Sequence, residues 1–306
     1  MSEHRQWQQH LGLLIDTKDG FDIIDCSACG FRHIVPIPTD EELEHIYRNE
    51  YYSIEKPMCL EGIARDLSWW NLVFQDRYEE FERLLPPGRR RLLDVGAGSG
   101  FFLQHGQQQG WDVNGIEPSK EAATHARNLG LDIYEGMLDK TSAKNLGPYD
   151  VVHLNNVMEH IPDPTEMLNI CHDLLDPDGI LCVGVPNDYS PFQQALHKTC
   201  GYEPWWVTTP YHINYFNLDS LHSIMERNGF EIVLREATFP IDMFLLMGDN
   251  YIGDNTLGRA CHVKRMTFER NLAAAGLNGI KRKMYQSLAE LGLGREIVLF
   301  GQKRKK

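Results

Sequence analysis

The residues best suited to chemistry stand at 93–100, where Leu93-Asp94-Val95-Gly96-Ala97-Gly98-Ser99-Gly100 leads from an apolar run into a helix-like segment. Glycines at a strand-to-helix turn let the backbone approach a ligand closely, and the helix that follows presents free N–H groups at its positive dipole end. The spacing is Gly-x-Gly-x-Gly. Phe101 stands where a dinucleotide-binding loop wants its third glycine, and no Lys-Ser/Thr follows, so a dinucleotide fingerprint and a phosphate-cradling P-loop both fail. The next apolar run ends at Ile116-Glu117-Pro118. A carboxylate at that point can accept both ribose hydroxyls of an adenosine ligand.

A second constellation lies near the N-terminus. Cys26-x-x-Cys29-x-x-x-His33 offers three soft metal ligands on a compact stretch, and a fourth would have to come from His4, His10 or Cys59. A single Cys-x-x-Cys without a second pair favours buried thiols in a remnant turn over zinc. A thioredoxin-like redox role is disfavoured, because no βαβ context surrounds the pair.

The elements that must hold these groups follow from periodicity. Residues 1–60 read as an irregular N-terminal segment, with a strand over Phe21 to Ile24 and a helix from about Thr39 to Asn49, Thr39 and Glu42 forming its capping box. Apolar positions at helical spacing run over 61–85 and end at Pro86-Pro87-Gly88. From Arg91 the pattern alternates. Strands are predicted at 91–95, 112–117, 131–134, 149–154, 179–185, 230–237 and 295–300, with helices at 98–109, 119–129, 163–175 and 219–228. Such alternation argues for βαβ units and a doubly wound parallel α/β sheet. Residues 186–217 read as a long aromatic-rich connection, and 241–294 as a helical insertion before the last strand. Long excursions of this kind are more often lids or binding loops than idle chain.

Composition narrows the function classes. The 306 residues are 42% hydrophobic and 24% charged, which excludes disorder, collagen-like repeats and coiled coil. A formal net charge of −13 would be repelled by phosphate polyanions, so nucleic acid and anionic membrane surfaces are poor partners. No stretch approaches bilayer length. Seven scattered cysteines and a polar start without a signal-peptide pattern suit a cytoplasmic protein.

The loop Asp94 to Gly100, Glu117 and the segment Asp150-Val-Val-His-Leu-Asn-Asn-Val-Met-Glu-His-Ile-Pro-Asp-Pro164 together resemble the class I S-adenosylmethionine-dependent methyltransferases, over about residues 75–240 and the final strand. That resemblance implies a Rossmann-like sheet of seven strands in the order 3-2-1-4-5-7-6, the last antiparallel. It also implies that Asp94, Gly96, Ala97, Gly98 and Gly100 hold the methionine end of the cofactor and that Glu117, with Pro118 beside it, holds the ribose. Met137 or Leu138 would face the adenine, and Asn155 and Asn156 would line the methyl-donor pocket. On this reading residues 61–306 form the methyltransferase domain behind the N-terminal segment.

A narrower resemblance is carried by Cys26-x-x-Cys29-Gly-Phe, Pro-x-Pro-Thr39-x-Glu-Glu-Leu43 and Tyr51-Tyr52. These look like bacterial methyltransferases of sugar, cell-surface polysaccharide and natural-product pathways, in which a zinc module with two Cys pairs often precedes the core. This chain has only the second pair.

Methyl transfer is an in-line displacement in which positive charge on sulfur disappears, so the protein supplies chiefly positioning and a dry site. Aromatic side chains suit a sulfonium. Tyr51, Tyr52, Phe101, Trp205, Trp206, Tyr215 and Phe216 are the candidates, with Tyr52, Trp205 and Tyr215 for the acceptor. A hydroxyl or amine acceptor must lose a proton, and His160 and His212 are the candidate bases, Glu159 serving to orient His160 or to cap the next helix. The first expectation is a small polar acceptor such as a sugar or nucleotide sugar. A quinone- or phenol-type O-methyltransferase and a non-catalytic cofactor-binding assembly protein are the alternatives. A homodimer is compatible with either enzyme.

Overall fold

The computed structural model describes residues 4–7, 9–39, 42 and 59–304. Its N-terminal part is not irregular. Strands β1 (His4–Trp7), β2 (His10–Lys18), β3 (Phe21–Cys26) and β4 (Phe31–Val35) form an antiparallel sheet. Asp19 and Gly20, both at positive φ (51° and 84°), make the two-residue turn that joins β2 to β3. Thr39 and Glu42 form the expected reciprocal capping bonds, at 2.8 Å and 3.4 Å. The helix they would start lies outside the described residues.

Helices α1 (Cys59–Arg65) and α2 (Leu67–Leu84) replace the single run over 61–85. The alternating part then follows as β5 (Arg91–Val95), α3 (Phe101–Gln108), β6 (Asp112–Glu117), α4 (Lys120–Asn128), β7 (Asp132–Glu135), β8 (Tyr149–Asn155), α5 (Pro164–Leu174) and β9 (Leu175–Pro186). Residues 186–217 are not one loop, because they hold α6 (Pro191–Cys200) and β10 (Asn214–Tyr215). Helix α7 (Leu218–Arg227) and β11 (Phe230–Ala237) precede the insertion, made of α8 (Asp242–Leu246), α9 (Asn255–Ala274) and α10 (Asn278–Glu290), and β12 (Glu296–Lys303) closes the fold.

Seven strands lie in the order β11-β12-β9-β8-β5-β6-β7, which is 3-2-1-4-5-7-6 when numbered within the sheet. Strand β12 runs antiparallel to both neighbours, as expected. Successive side chains of a strand point to opposite faces. Leu93, Val152, Val183 and Leu299 accordingly join one apolar cluster with α5 and α7, while Leu92, Val151, Cys182 and Val298 join another with α2, α3 and α4. Helices thus cover both faces, and in open sheets of this kind ligands bind at the carboxyl ends of the parallel strands, where loops from several strands meet.

The insertion is tied to α2 through polar contacts. Trp69 Nε1 donates to Glu269 at 2.5 Å, Lys281 lies 2.5 Å from Asp76, and Arg259 pairs with Asp66. The N-terminal sheet is completed by β10, which pairs with β4 in the register Asn214↔His33 and Tyr215↔Arg32. This pairing joins segments some 180 residues apart and sets the N-terminal sheet against the turn that follows β8, where Ile213 N donates to the Glu159 carbonyl at 2.8 Å.

Candidate active site

The glycine loop leaves β5 and enters α3 with Gly96, Gly98 and Gly100 all at positive φ (74°, 53° and 77°). A Cβ on Gly100 would lie 2.6 Å from Ala126 Cβ and 2.8 Å from Leu131 Cδ1, so only glycine lets this turn sit against α4. The amides of Gly96 and Ala97 both donate to the Ile116 carbonyl, at 2.8 and 2.9 Å, which clamps the loop to the end of β6.

Glu117 ends β6 beside the loop. One carboxylate oxygen accepts from Gly98 N at 2.8 Å and the other from Ser119 N at 2.8 Å. Burial pushes its carboxyl up to about 7, against the opposing pull of these two amides. A carboxylate has about four lone-pair sites, so two remain for a ligand. Pro118 follows, half-buried. Asp94, by contrast, turns its carboxylate to His153 on β8, with Oδ1 2.8 Å from Nδ1, and both groups are buried. It braces two central strands.

Leu138 belongs to the core, while Met137 is 45% exposed, so of the two residues expected near adenine only Met137 offers open surface. Asn155 presses its Oδ1 toward Gly184, where a Cβ would lie at 2.4 Å. Asn156 adopts a left-handed conformation (φ 55°), donates through Nδ2 to Glu296 at 3.0 Å, and keeps Oδ1 buried without a hydrogen-bond partner among the described residues. Strained residues of this type concentrate at ligand sites.

The two candidate bases, 52 positions apart in the chain, are brought together. The rings of His160 and His212 meet edge-on, 5.0 Å between centroids. His160 Nδ1 lies 2.7 Å from the Tyr211 carbonyl. A carbonyl only accepts, so Nδ1 carries the hydrogen and Nε2 holds the basic lone pair, 3.7 Å from Glu159 Oε1. The His160 turn is itself held by Asn214, whose Nδ2 donates to the carbonyls of Met158 and Ile161 at 3.0 and 2.7 Å.

The aromatic candidates are mostly core. Tyr215 is 2% exposed and joins Trp206, Tyr189, Ile23 and Ile34 in a cluster against which Trp205 also packs. Phe101 stacks edge-on against His125. Tyr51 and Tyr52 lie outside the described residues. Tyr215 and the half-buried Trp205, the two expected near the acceptor, join the N-terminal sheet to the 186–217 segment.

Asp188 is a further buried acid just beyond the carboxyl end of β9, one that no sequence motif marks. It follows β9, both of its carboxylate oxygens lack a hydrogen-bond partner among the described residues, and Arg295 stands 3.7 Å away. Burial pushes its carboxyl up to about 7, with Arg295 pulling the other way. Its neighbour Tyr189 is left-handed (φ 57°). An acid following an apolar strand, flanked by Asn and Tyr, was the available signal.

Among the Cys and His residues of the N-terminal sheet, burial pushes the Cys29 thiol up to about 12 and the His33 imidazole down to about 4.

A seven-stranded sheet with its last strand reversed, a Gly-x-Gly-x-Gly turn and an acid at the end of the second strand define the class I methyltransferase architecture. The family described as "Methyltransferase domain" matches residues 70–235, more than half of the chain, and the chain belongs to it. By family and by fold it carries a methyltransferase domain. The chain is 40% identical over 102 residues to a ubiquinone biosynthesis O-methyltransferase of Caulobacter vibrioides, covering 31% of this chain and 40% of that protein. It is 27% identical over 154 residues to the protein of the same name from Escherichia coli, covering 44% and 62%. The chain thus spans between two fifths and about three fifths of these relatives' length. In fold it is similar to a Haloferax volcanii methyltransferase solved with the Trm112 methyltransferase activator (TM-score 0.53, 14% identity, 84% of this chain and 99% of that one). Among the described residues no helix is long and apolar enough to cross a membrane.

Residues present fit S-adenosylmethionine. The glycine turn, the two remaining acceptor sites of Glu117 and the orphaned Asn156 Oδ1 offer acceptors and a close backbone approach of the kind an aminoacyl nucleoside requires.

Proposed function

We propose that the chain methylates an oxygen atom of a phenol- or quinol-type aromatic acceptor. The observation that supports this reading is the meeting of His160 and His212 beyond the end of β8, with the hydrogen of His160 held on Nδ1 by the Tyr211 carbonyl so that Nε2 can accept a proton. When bound, S-adenosylmethionine supplies an electrophilic methyl group. The protein's own contribution is to seat the acceptor, exclude water and remove its proton.

Magnitudes favour a phenol. Imidazole has a reference pKa of ~6.5 and a phenol ~10, a gap of ~3.5 units, or about 5 kcal/mol at 1.36 kcal/mol per unit. An alkyl hydroxyl, taken as comparable to water at ~15.7, leaves ~9 units, or about 12 kcal/mol. One histidine can carry the first burden within an ordinary barrier far more readily than the second. The names of the relatives point the same way: both are called ubiquinone biosynthesis O-methyltransferases. The sugar reading implied by the N-terminal resemblance finds no comparable support.

Labelled methyl transfer to a panel of catechols, hydroquinols, nucleotide sugars and oligosaccharides tests the proposal. Label is expected on catechols or hydroquinols. Label found on the sugars alone would return the acceptor to the polysaccharide class.

A further inference from the structure

Four metal-binding donors that the chain spreads over 24 positions converge on the N-terminal sheet. His10 opens β2, Cys26 closes β3, Cys29 lies in the following turn and His33 is the middle residue of β4; one donor atom from each lies within 4.8 Å of all the others. The sequence left the fourth donor open among His4, His10 and Cys59, and the fold brings in His10. Its Nδ1 stands 3.6 Å from Cys26 Sγ and 3.4 Å from Cys29 Sγ. A tetrahedral ion with bonds of ~2.3 Å to sulfur and ~2.0 Å to nitrogen separates such donors by roughly 3.5 Å. Two edges of the tetrahedron therefore have their final length already.

His33 supplies an independent observation. It is 1% exposed, and its Nδ1 lies 2.9 Å from the Ile34 carbonyl, which fixes the hydrogen on Nδ1. Nε2 is left as a lone pair, buried and without a hydrogen-bond partner among the described residues. Metal-ligating histidines are oriented in this way, by a carbonyl on the nitrogen that does not bind. The cysteine turn is equally fixed: Gly30 N–H donates to the Cys26 carbonyl at 2.8 Å, and Arg227 donates to the Cys29 carbonyl at 2.7 Å. The other carboxylate–histidine group, Glu159, His160 and His212, belongs to the active site described above.

We propose that His10, Cys26, Cys29 and His33 bind one zinc ion, a Cys2His2 centre that staples the N-terminal sheet. Both thiols lose their protons to solvent on binding, and no redox step is involved. The ion would bear directly on the active site through one backbone pairing. His33 faces Asn214 across β4 and β10, and Asn214 holds the turn that carries His160. Zinc binding does not depend on which acceptor is methylated.

The test uses the full chain, freed of any affinity tag and purified under reducing conditions from zinc-supplemented cells. Elemental analysis and native mass spectrometry are expected to find one zinc per chain. Cys26→Ser, Cys29→Ser and His33→Ala should each lose it, whereas His33→Cys should keep it. Cobalt(II) replacement should give the visible bands of a tetrahedral thiolate site, absent from the serine variants. Binding of S-adenosylhomocysteine reports whether each variant retains its core, so metal loss is distinguished from misfolding. Wild-type protein that takes up no stoichiometric zinc or cobalt, or a Cys26→Ser/Cys29→Ser double variant that retains the metal, would overturn the assignment.

Discussion

His160→Asn is expected to lower kcat on the order of 100-fold or more toward a hydroxyl acceptor, with S-adenosylhomocysteine affinity unchanged. Asparagine keeps approximate shape and a donor toward the Tyr211 carbonyl, which His160 Nδ1 contacts at 2.7 Å, but it has no proton affinity. The rising limb of the pH–rate profile imposed by a neutral imidazole should vanish with it. His212→Asn should cost less, because His212 meets His160 edge-on and serves to pack and orient it. The two effects should not add, since the rings are in contact. Equal and full activity in both variants would remove the histidines from the mechanism. Asp188, buried at the end of β9 with its carboxyl raised to about 7, would then be the next base to replace.

The second large effect concerns Glu117. Its carboxylate already takes one N–H from each of two loops, so Glu117→Ala removes the ribose acceptor and orphans the amides of Gly98 and Ser119. Loss of about 1–3 kcal/mol follows, a 5- to 150-fold rise in Kd for S-adenosylhomocysteine by calorimetry. The pH dependence has a definite sign. Ribose hydroxyls donate, so they bind the ionised carboxylate, which burial has raised to about 7. Affinity should therefore be greatest above pH 7 and fall as the pH drops through it, while Glu117→Gln should be weak and flat. A wild-type affinity that is level between pH 5 and 8 would move the ribose contact elsewhere.

What the sequence made legible was local. The strand over 91–95, the glycine turn and Glu117 are read within one βαβ unit, where periodicity and turn chemistry decide the structure. What it hid was non-local. The pairing of β4 with β10, the meeting of His160 with His212 and the bond from Asp94 to His153 join segments 50 to 180 positions apart, and no local pattern encodes them. The packing of Tyr215 and Trp205 is hidden for the same reason, since it depends on a sheet formed by the opposite end of the chain. Asp19-Gly20 between two β-rich runs is a strong two-residue hairpin turn, and it marks the N-terminal sheet that composition alone presents as irregular.

Oxygen methylation of an aromatic acceptor is tested most directly by the identity of the bond formed. With S-adenosylmethionine carrying a carbon-13 methyl group and a catechol acceptor, long-range carbon–proton correlation of the product should connect the labelled methyl, through oxygen, to a ring carbon. A methyl group attached directly to a ring carbon, to nitrogen, or found only on a sugar offered in competition would contradict the account.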